Sequence, residues 1–222
     1  ESKNIPVETS IKNFTTPEPR TPNPDYVIVA SYGVIIPDDV LAAAKFINIH
    51  PSLLPKYRGP SPMLTALYNG DMETGVCIMD VAHDVDSGGM YACEKLTIGE
   101  NDNIHDLESA VSKLSAKMLM EFLAAPTTAA PQIGTPTFTK KFTKEDTIID
   151  WKKSPREIHN QIRSIGGRTK INGIDVKVLQ SSVVSRQSGD ELEIIRVQPA
   201  GKKPMAWRDF VNGQRGKIIF GE

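Results

Sequence analysis

The segment Asn48-Ile-His50-Pro-Ser-Leu-Leu-Pro-Lys-Tyr-Arg-Gly59 holds the densest set of side chains able to do chemistry. Asn48 and His50 stand two residues apart at the end of an apolar run, so in a strand both point to one face. An amide donor and an imidazole converging there could hold a developing oxyanion and relay a proton. The same pair could instead only satisfy a tight turn before Pro51, and spacing alone leaves both readings open. A second candidate is His83-Asp-Val-Asp86-Ser-Gly-Gly89, two carboxylates in a glycine-bearing loop. It lacks the liganding pattern of an EF-hand, and a plain acidic turn is its other reading. A carboxylate brought beside His50 would orient the imidazole and raise its basicity.

Such residues need elements to hold them. Asp25–Ala30 is a short, β-branched apolar run, as in a strand buried on both faces of a parallel sheet. Pro37-Asp-Asp suits a helix start, with a short helix from Val40 to Lys45. Phe46–His50 reads as a second strand, residues 61–70 as a helix ending at Gly70, and Thr74–Val81 and Met90–Ile98 as two further strands. Ile104–Ala124 predicts a long helix, with Leu107, Val111, Leu114, Met118 and Phe122 at spacings of three and four. Residues 1–24, with five prolines, read as extended connection, and the Pro-, Ala- and Thr-rich stretch Ala124–Thr137 as a linker. Beyond it lie one helix, Pro155–Ile165, and short strands over Ile174–Leu179, Glu191–Gln198 and Gly216–Phe220, the pattern of a small β-barrel. The chain divides into an α/β domain over 1–123 with a doubly wound, mostly parallel sheet, a linker over 124–137, and a C-terminal β-barrel over 138–222. Open parallel sheets bind ligands at the carboxyl ends of their strands, where Asn48 and His50 fall.

Composition narrows the function classes. A chain of 222 residues, 39% hydrophobic and 24% charged, is ordinary for a globular protein. No apolar run approaches the roughly 20 residues of a membrane span, and Glu1–Arg20 does not read as a signal peptide. Cys77 and Cys93 are too few and too isolated for a disulfide framework or a zinc site. They are expected to pack as small apolar residues in a reducing compartment, and no metal is expected. The net charge of −1 hides an asymmetry: residues 1–137 carry 9 basic and 17 acidic groups, residues 138–222 carry 17 basic and 10 acidic. A second half at +7 suits a polyanion such as RNA, or is a solvated lysine-rich surface.

Asn48-x-His50, the Ser52-Leu-Leu-Pro55 run, and Gly75-Val-Cys-Ile78 followed by Asp86-Ser-Gly88 together resemble the folate-dependent formyltransferase family. The resemblance implies a Rossmann-like domain followed by an OB-like barrel, with Asn48, His50 and Asp86 as catalytic trio and 10-formyltetrahydrofolate as co-substrate. It places the folate-contacting loops at Val34–Ile36 and at Ser52, Leu53, Leu54 and Pro55, with plain core packing the other reading for Val34 and Ile36. Tyr32–Pro37, Arg58–Pro62, Gly70–Gly75, Phe142–Trp151 and Gln198–Met205 resemble the members that formylate initiator methionyl-tRNA, whose second module holds tRNA largely through charge. The expected partners are therefore that tRNA and the folate donor, on a monomer, with Lys202 and Lys203 as phosphate contacts or a solvated pair. A formyltransferase acting on an amino sugar nucleotide and a non-catalytic tRNA- or folate-binding remnant are the alternatives.

Three departures from the family pattern stand out. The strand-helix-strand portion with which the family begins is absent, so the catalytic domain is expected to be N-terminally incomplete, with an open sheet edge. Cys77 and Asp80 replace a small hydroxyl residue and an uncharged one. Ser164–Asn172 is short and lacks a Pro-Trp-Pro-like stretch. This looser matching points to the mitochondrial matrix rather than a bacterial cytoplasm.

Overall fold

Alternation along Phe46-Ile-Asn-Ile-His50 sorts the first sheet into two faces. In the computed structural model, which describes residues 24–34, 36–42, 44–214 and 216–221, this segment is the strand β2 (Phe46–His50). The extended connection expected over residues 1–24 lies, except for Pro24, outside the described residues, as does Ile35. β2 sits between β1 (Val27–Ala30) and β3 (Glu73–Asp80), with β4 (Met90–Thr97) at the far edge. β1 runs parallel to β2, while β3 pairs antiparallel with both β2 and β4. The sheet is therefore mixed, not mostly parallel as expected. The loop from Val81 to Gly89 is too short for a crossover helix, so β3 and β4 can only form an antiparallel hairpin.

On one face, Ile28, Ile47, Ile49, Val76 and Ile78 pack against α2 (Pro62–Asn69) and α3 (Ile104–Ala124). Leu107, Val111, Met118 and Phe122 form the buried stripe of α3, as the helical spacing predicts, and each contributes about 1.5–3 kcal/mol by leaving water. A capping box starts this helix. The Asn103 side chain accepts from the Asp106 N–H, and the Asp106 carboxylate accepts from the Asn103 N–H. Asn103→Ala would remove about 1 kcal/mol. On the opposite face, Val27, Val29 and Phe46 pack with Ile36 and with Val40 of the short α1 (Asp38–Leu41). Further along that face Cys77 and Met79 meet Leu54. Helices thus cover both faces, and Thr74–Met79 of β3 is buried throughout.

Cys77 and Cys93 are not separate thiols. The hairpin register sets them opposite one another on β3 and β4, where they form a disulfide with a Cα–Cα distance of 4.1 Å.

The second sheet contains β5 (Gly167–Ile171), β6 (Ile174–Arg186), β7 (Gly189–Pro199) and β8 (Met205–Ala206), paired antiparallel in that order. Its core joins Ile158 and Ile162 of α4 (Pro155–Ile165) to Ile171, Val176, Val178, Val197 and Phe210 of α5 (Trp207–Asn212). The strands expected over Ile174–Leu179 and Glu191–Gln198 belong to one long hairpin, and the strand expected over Gly216–Phe220 is reduced to a bridge between Phe220 and Ile171. Among the described residues no ladder joins β8 back to β5, so what is shown is an open sheet rather than a closed barrel.

α4 is the junction of the two units. Pro155 opens it and the Ser154–Glu157 capping box closes its first turn. From Ile158 to Ser164 every residue is buried, polar ones included. Arg163 donates from Nη1 to the carbonyls of Gly99 (3.0 Å) and Asp102 (3.1 Å) and from Nε to Asn160 Oδ1. Ser164 donates to the Leu64 carbonyl at 2.6 Å. His159 faces the Glu100 carbonyl through Nε2 at 3.2 Å and Ser181 Oγ through Nδ1 at 3.0 Å. A carbonyl only accepts, so Nε2 carries the hydrogen. Burial lowers the pKa of both His159 and Arg163.

Candidate active site

The faces of the first sheet decide where Asn48 and His50 point. Both stand on the face opposite α3, in register with Met79 and Cys77. β1 ends beside β2, with Ala30 opposite Ile49, so the chain leaves the sheet at Ser31 next to His50. The β3–β4 loop then brings Asp86 back over the end of β2. Asn48 Nδ2 donates to Asp86 Oδ1 at 3.3 Å, and His50 Nδ1 lies 3.5 Å from Asp86 Oδ2. The Gly59 N–H donates to the same Oδ2 at 2.8 Å. His50 Nε2 faces the Tyr57 carbonyl at 2.9 Å, an acceptor, so this nitrogen donates. The imidazole is 4% exposed and the Asp86 side chain 16%. Three residues separated by up to 38 positions thus converge, and Asn48 and His50 do more than close a turn before Pro51.

The backbone supporting this arrangement is unusual at two positions. Tyr57 (φ 62°) and Asp86 (φ 48°), whose oxygens flank the His50 ring, both lie in the left-handed region. Each such residue costs on the order of 1 kcal/mol, which the surrounding structure must hold in place. Gly88 lets the loop lie flat on β3, since a Cβ there would collide with the Asp80 carbonyl oxygen.

The expected folate-contacting residues are placed as follows. Ser52 is buried and donates to the Lys56 carbonyl at 2.6 Å, Leu54 is in the core, Leu53 lies over Gly75, and Pro55 follows a cis peptide bond. Ser52–Pro55 is therefore a turn packed on β3, which can offer a ligand its backbone and the outer edges of Leu53 and Pro55. Val34 is 61% exposed, whereas Ile36 is 8% exposed and belongs to the core. Nearby, Lys56 pairs with Asp71 at 2.6 Å; burial opposes its charge, but this partner raises its pKa.

A cleft of about 470 Å3 opens beside the trio, lined by Arg58, Gly59, Pro60, Asp84, Val85, Phe138 and Thr139. An open groove of about 690 Å3 on the second unit includes Lys144, Arg168, Lys170 and Lys177, against Glu145 and Asp175. Lys202 and Lys203 are exposed in the turn after β7. Among the described residues no cluster of three or more His, Cys, Asp or Glu side chains is arranged to hold a metal, and no helix is long and apolar enough to cross a membrane.

The stretch expected as a linker, 124–137, and Thr139 just beyond it contact the loops of the candidate site. Thr137 and Thr139 exchange backbone bonds with Arg58, the Thr137 hydroxyl accepts from the Tyr57 N–H, and Gln132 contacts both site loops. Nothing in a Pro-, Ala- and Thr-rich stretch signals these contacts.

Residues 8–123 match the formyl transferase family and residues 141–192 the formyl transferase C-terminal domain. The chain belongs to the formyltransferase family and is an enzyme of that class. It is 31% identical to the methionyl-tRNA formyltransferase of Coprothermobacter proteolyticus (89% of this chain, 74% of that one) and 33% identical to that of Dictyoglomus turgidum (90% and 74%). Both relatives are bacterial and lend no support to the expected mitochondrial location.

Solved structures share the fold. A methionyl-tRNA formyltransferase from Clostridium thermocellum aligns with a TM-score of 0.63 at 18% identity, over 79% of this chain and 78% of that one. HypX from Aquifex aeolicus in complex with tetrahydrofolic acid gives 0.62 at 17% identity, over 90% and 42%. A sugar 3N-formyl transferase determined with dTDP and 5-N-formyl-THF gives 0.61 at 21% identity, over 79% and 73%.

Proposed function

We propose that the protein transfers the formyl group of 10-formyltetrahydrofolate to the amino group of methionine on initiator tRNA. The observation that carries this reading is the convergence of Asn48, His50 and Asp86 at the open end of β2. The methionine amine attacks the formyl carbon, and the carbonyl oxygen becomes an oxyanion. One N–H of the Asn48 amide is held by Asp86, which leaves the other for that oxygen. His50 joins it by exchanging the Tyr57 carbonyl for the oxyanion, its charge matched by Asp86. The Asp86 carboxylate takes the proton from the attacking amine, directly or through water, and passes it to the folate nitrogen as the C–N bond to that nitrogen breaks, which returns Asp86 to the carboxylate. The folate would lie between the 31–37 loop and the Ser52–Pro55 turn.

The basic second unit supports tRNA as the acceptor, with the groove of Lys144, Arg168, Lys170 and Lys177 and the exposed Lys202–Lys203 pair as phosphate contacts. An amino sugar nucleotide is the second reading, favoured by the fold shared with a sugar formyltransferase. The test is formyl transfer from 10-formyltetrahydrofolate to charged initiator tRNA and, in parallel, to an amino sugar nucleotide. Product on the tRNA alone supports the reading; product on the sugar alone overturns it. His50→Ala should reduce the rate by about 10²–10⁴ while folate still binds.

A further inference from the structure

The segment between the two units does more than connect them. Met90 and Ala130 exchange two backbone hydrogen bonds, at 2.7 and 2.9 Å, which lays the chain alongside the loop that carries Asp86. Gln132 then uses both ends of its amide. Its Nε2 donates to the carbonyls of Asp86 (2.8 Å) and Gly88 (2.9 Å), and its Oε1 accepts from Arg58 Nε (3.1 Å) and Nη2 (2.7 Å). Arg58 and Asp86 belong to the two loops that meet over His50. These loops also touch directly, because Gly59 donates its N–H to Asp86 Oδ2. Gln132, Asp86, Gly59 and Arg58 thus form a closed ring of contacts around a residue whose backbone is left-handed. A conformation of that kind persists only where its neighbours over-determine it. Two bonds onto the Asp86 and Gly88 carbonyls supply that constraint from a third segment of chain.

We propose that Gln132 is a positioning residue: it sets the Asp86 carboxylate against Asn48 and His50 and ties that geometry to the segment leading into the second unit. Its effect on turnover rests on the reading of Asp86 given above; its hold on Asp86 does not.

Gln132→Glu keeps the size and the acceptor for Arg58 but removes both donated bonds, and Gln132→Leu removes all four. Each should lower kcat by about tenfold to a hundredfold, with KM for the folate donor unchanged. In an Asp86→Asn background the same substitutions should cost less than about twofold, because residues acting as one unit are not additive. A readout independent of turnover is hydrogen exchange at the Gly59 amide. Its protection should fall at least about tenfold in both variants, while the Val76 and Ile78 amides of β3 stay protected and show that the protein is folded. Gly59 protection that survives both substitutions overturns the proposal, as does a full kcat loss persisting without the Asp86 charge. A wild-type protein that formylates nothing sinks the functional reading alone, and Gly59 exchange then decides the role of Gln132.

Discussion

Asp86→Asn keeps the shape of the side chain and removes its charge, and the surrounding donors make the consequence specific. Oδ2 receives the Gly59 N–H at 2.8 Å and faces His50 Nδ1 at 3.5 Å, while Oδ1 receives the Asn48 amide at 3.3 Å. Every neighbour is a donor when the imidazole is protonated, so an asparagine can satisfy only one side. With its oxygen towards Gly59 and His50, its NH2 opposes the NH2 of Asn48 and forces that amide to turn over. Two of the three residues are then disturbed by one substitution. At 3.5 Å an imidazolium and a carboxylate attract by roughly 5 kcal/mol at an effective dielectric of about 20. Partial exposure of Asp86 lets water replace some of this, leaving about 3–4 kcal/mol to be lost in the transition state. The expected fall in kcat is therefore about 10²–10³. Initial rates of formyl-methionyl-tRNA formation measure it, beside the folate KM and the melting temperature. A variant that folds normally and keeps more than about a third of the wild-type kcat would show that the carboxylate charge is unused, and the trio would fall as a mechanism.

The junction and the groove give three further predictions. Arg163→Leu removes the guanidinium from the part-buried carbonyls of Gly99 and Asp102; the Gly99 carbonyl keeps the Asp102 N–H, so the cost falls chiefly on the Asp102 acceptor, at about 1–3 kcal/mol. Relief of guanidinium desolvation returns part of that, so denaturant titration should show a net loss of about 1–2 kcal/mol; a loss below about 0.5 kcal/mol would mean the contact is idle. His159, whose pKa burial lowers below 6.5, is neutral in the fold where the unfolded chain would take up a proton. Its share of stability is present above pH 6.5 and declines as pH falls through that value, by up to about 1.4 kcal/mol per unit; His159→Asn should flatten that part of the pH–stability curve, and an unchanged slope would place the proton elsewhere. Lys170→Ala and Lys177→Ala should each weaken tRNA binding and shallow its log–log salt slope by about 1, and an unaltered slope would remove the groove from the tRNA path.

What the sequence made legible depends on how locally each feature is encoded. The helix Ile104–Ala124 is legible because its apolar positions recur at helical spacing. β2 and Asn48–His50 were readable because side-chain alternation alone sets their common face. β5 was not, since Arg168, Thr169 and Lys170 lie between its two buried ends, Gly167 and Ile171, and offer no apolar run. β6 runs on past the expected end at Leu179, because the hairpin absorbs the polar Gln180-Ser-Ser182 in an irregular register between Val178 and Ser181. The Cys77–Cys93 pair depends on cross-strand register, and the burial of His159, Arg163 and Ser164 on carbonyls supplied by the first unit. Neither has a signal within its own segment.

The same distinction explains why the motif names three residues without fixing their geometry. Asn48 and His50 are oriented by a single strand, but Asp86 reaches them only after β3 has crossed the sheet and turned back. The return loop is laid flat by Gly88 and met from the other side by Gly59 and Gln132. A loop holding a left-handed aspartate has little local reason to stay where it is, so its precision must come from segments distant in sequence. The segment of Gln132 runs directly on to Thr139, which donates its N–H to the Arg58 carbonyl beside Gly59, and then to the second unit. The part that the fold leaves to long-range contacts is therefore the placement of one carboxylate.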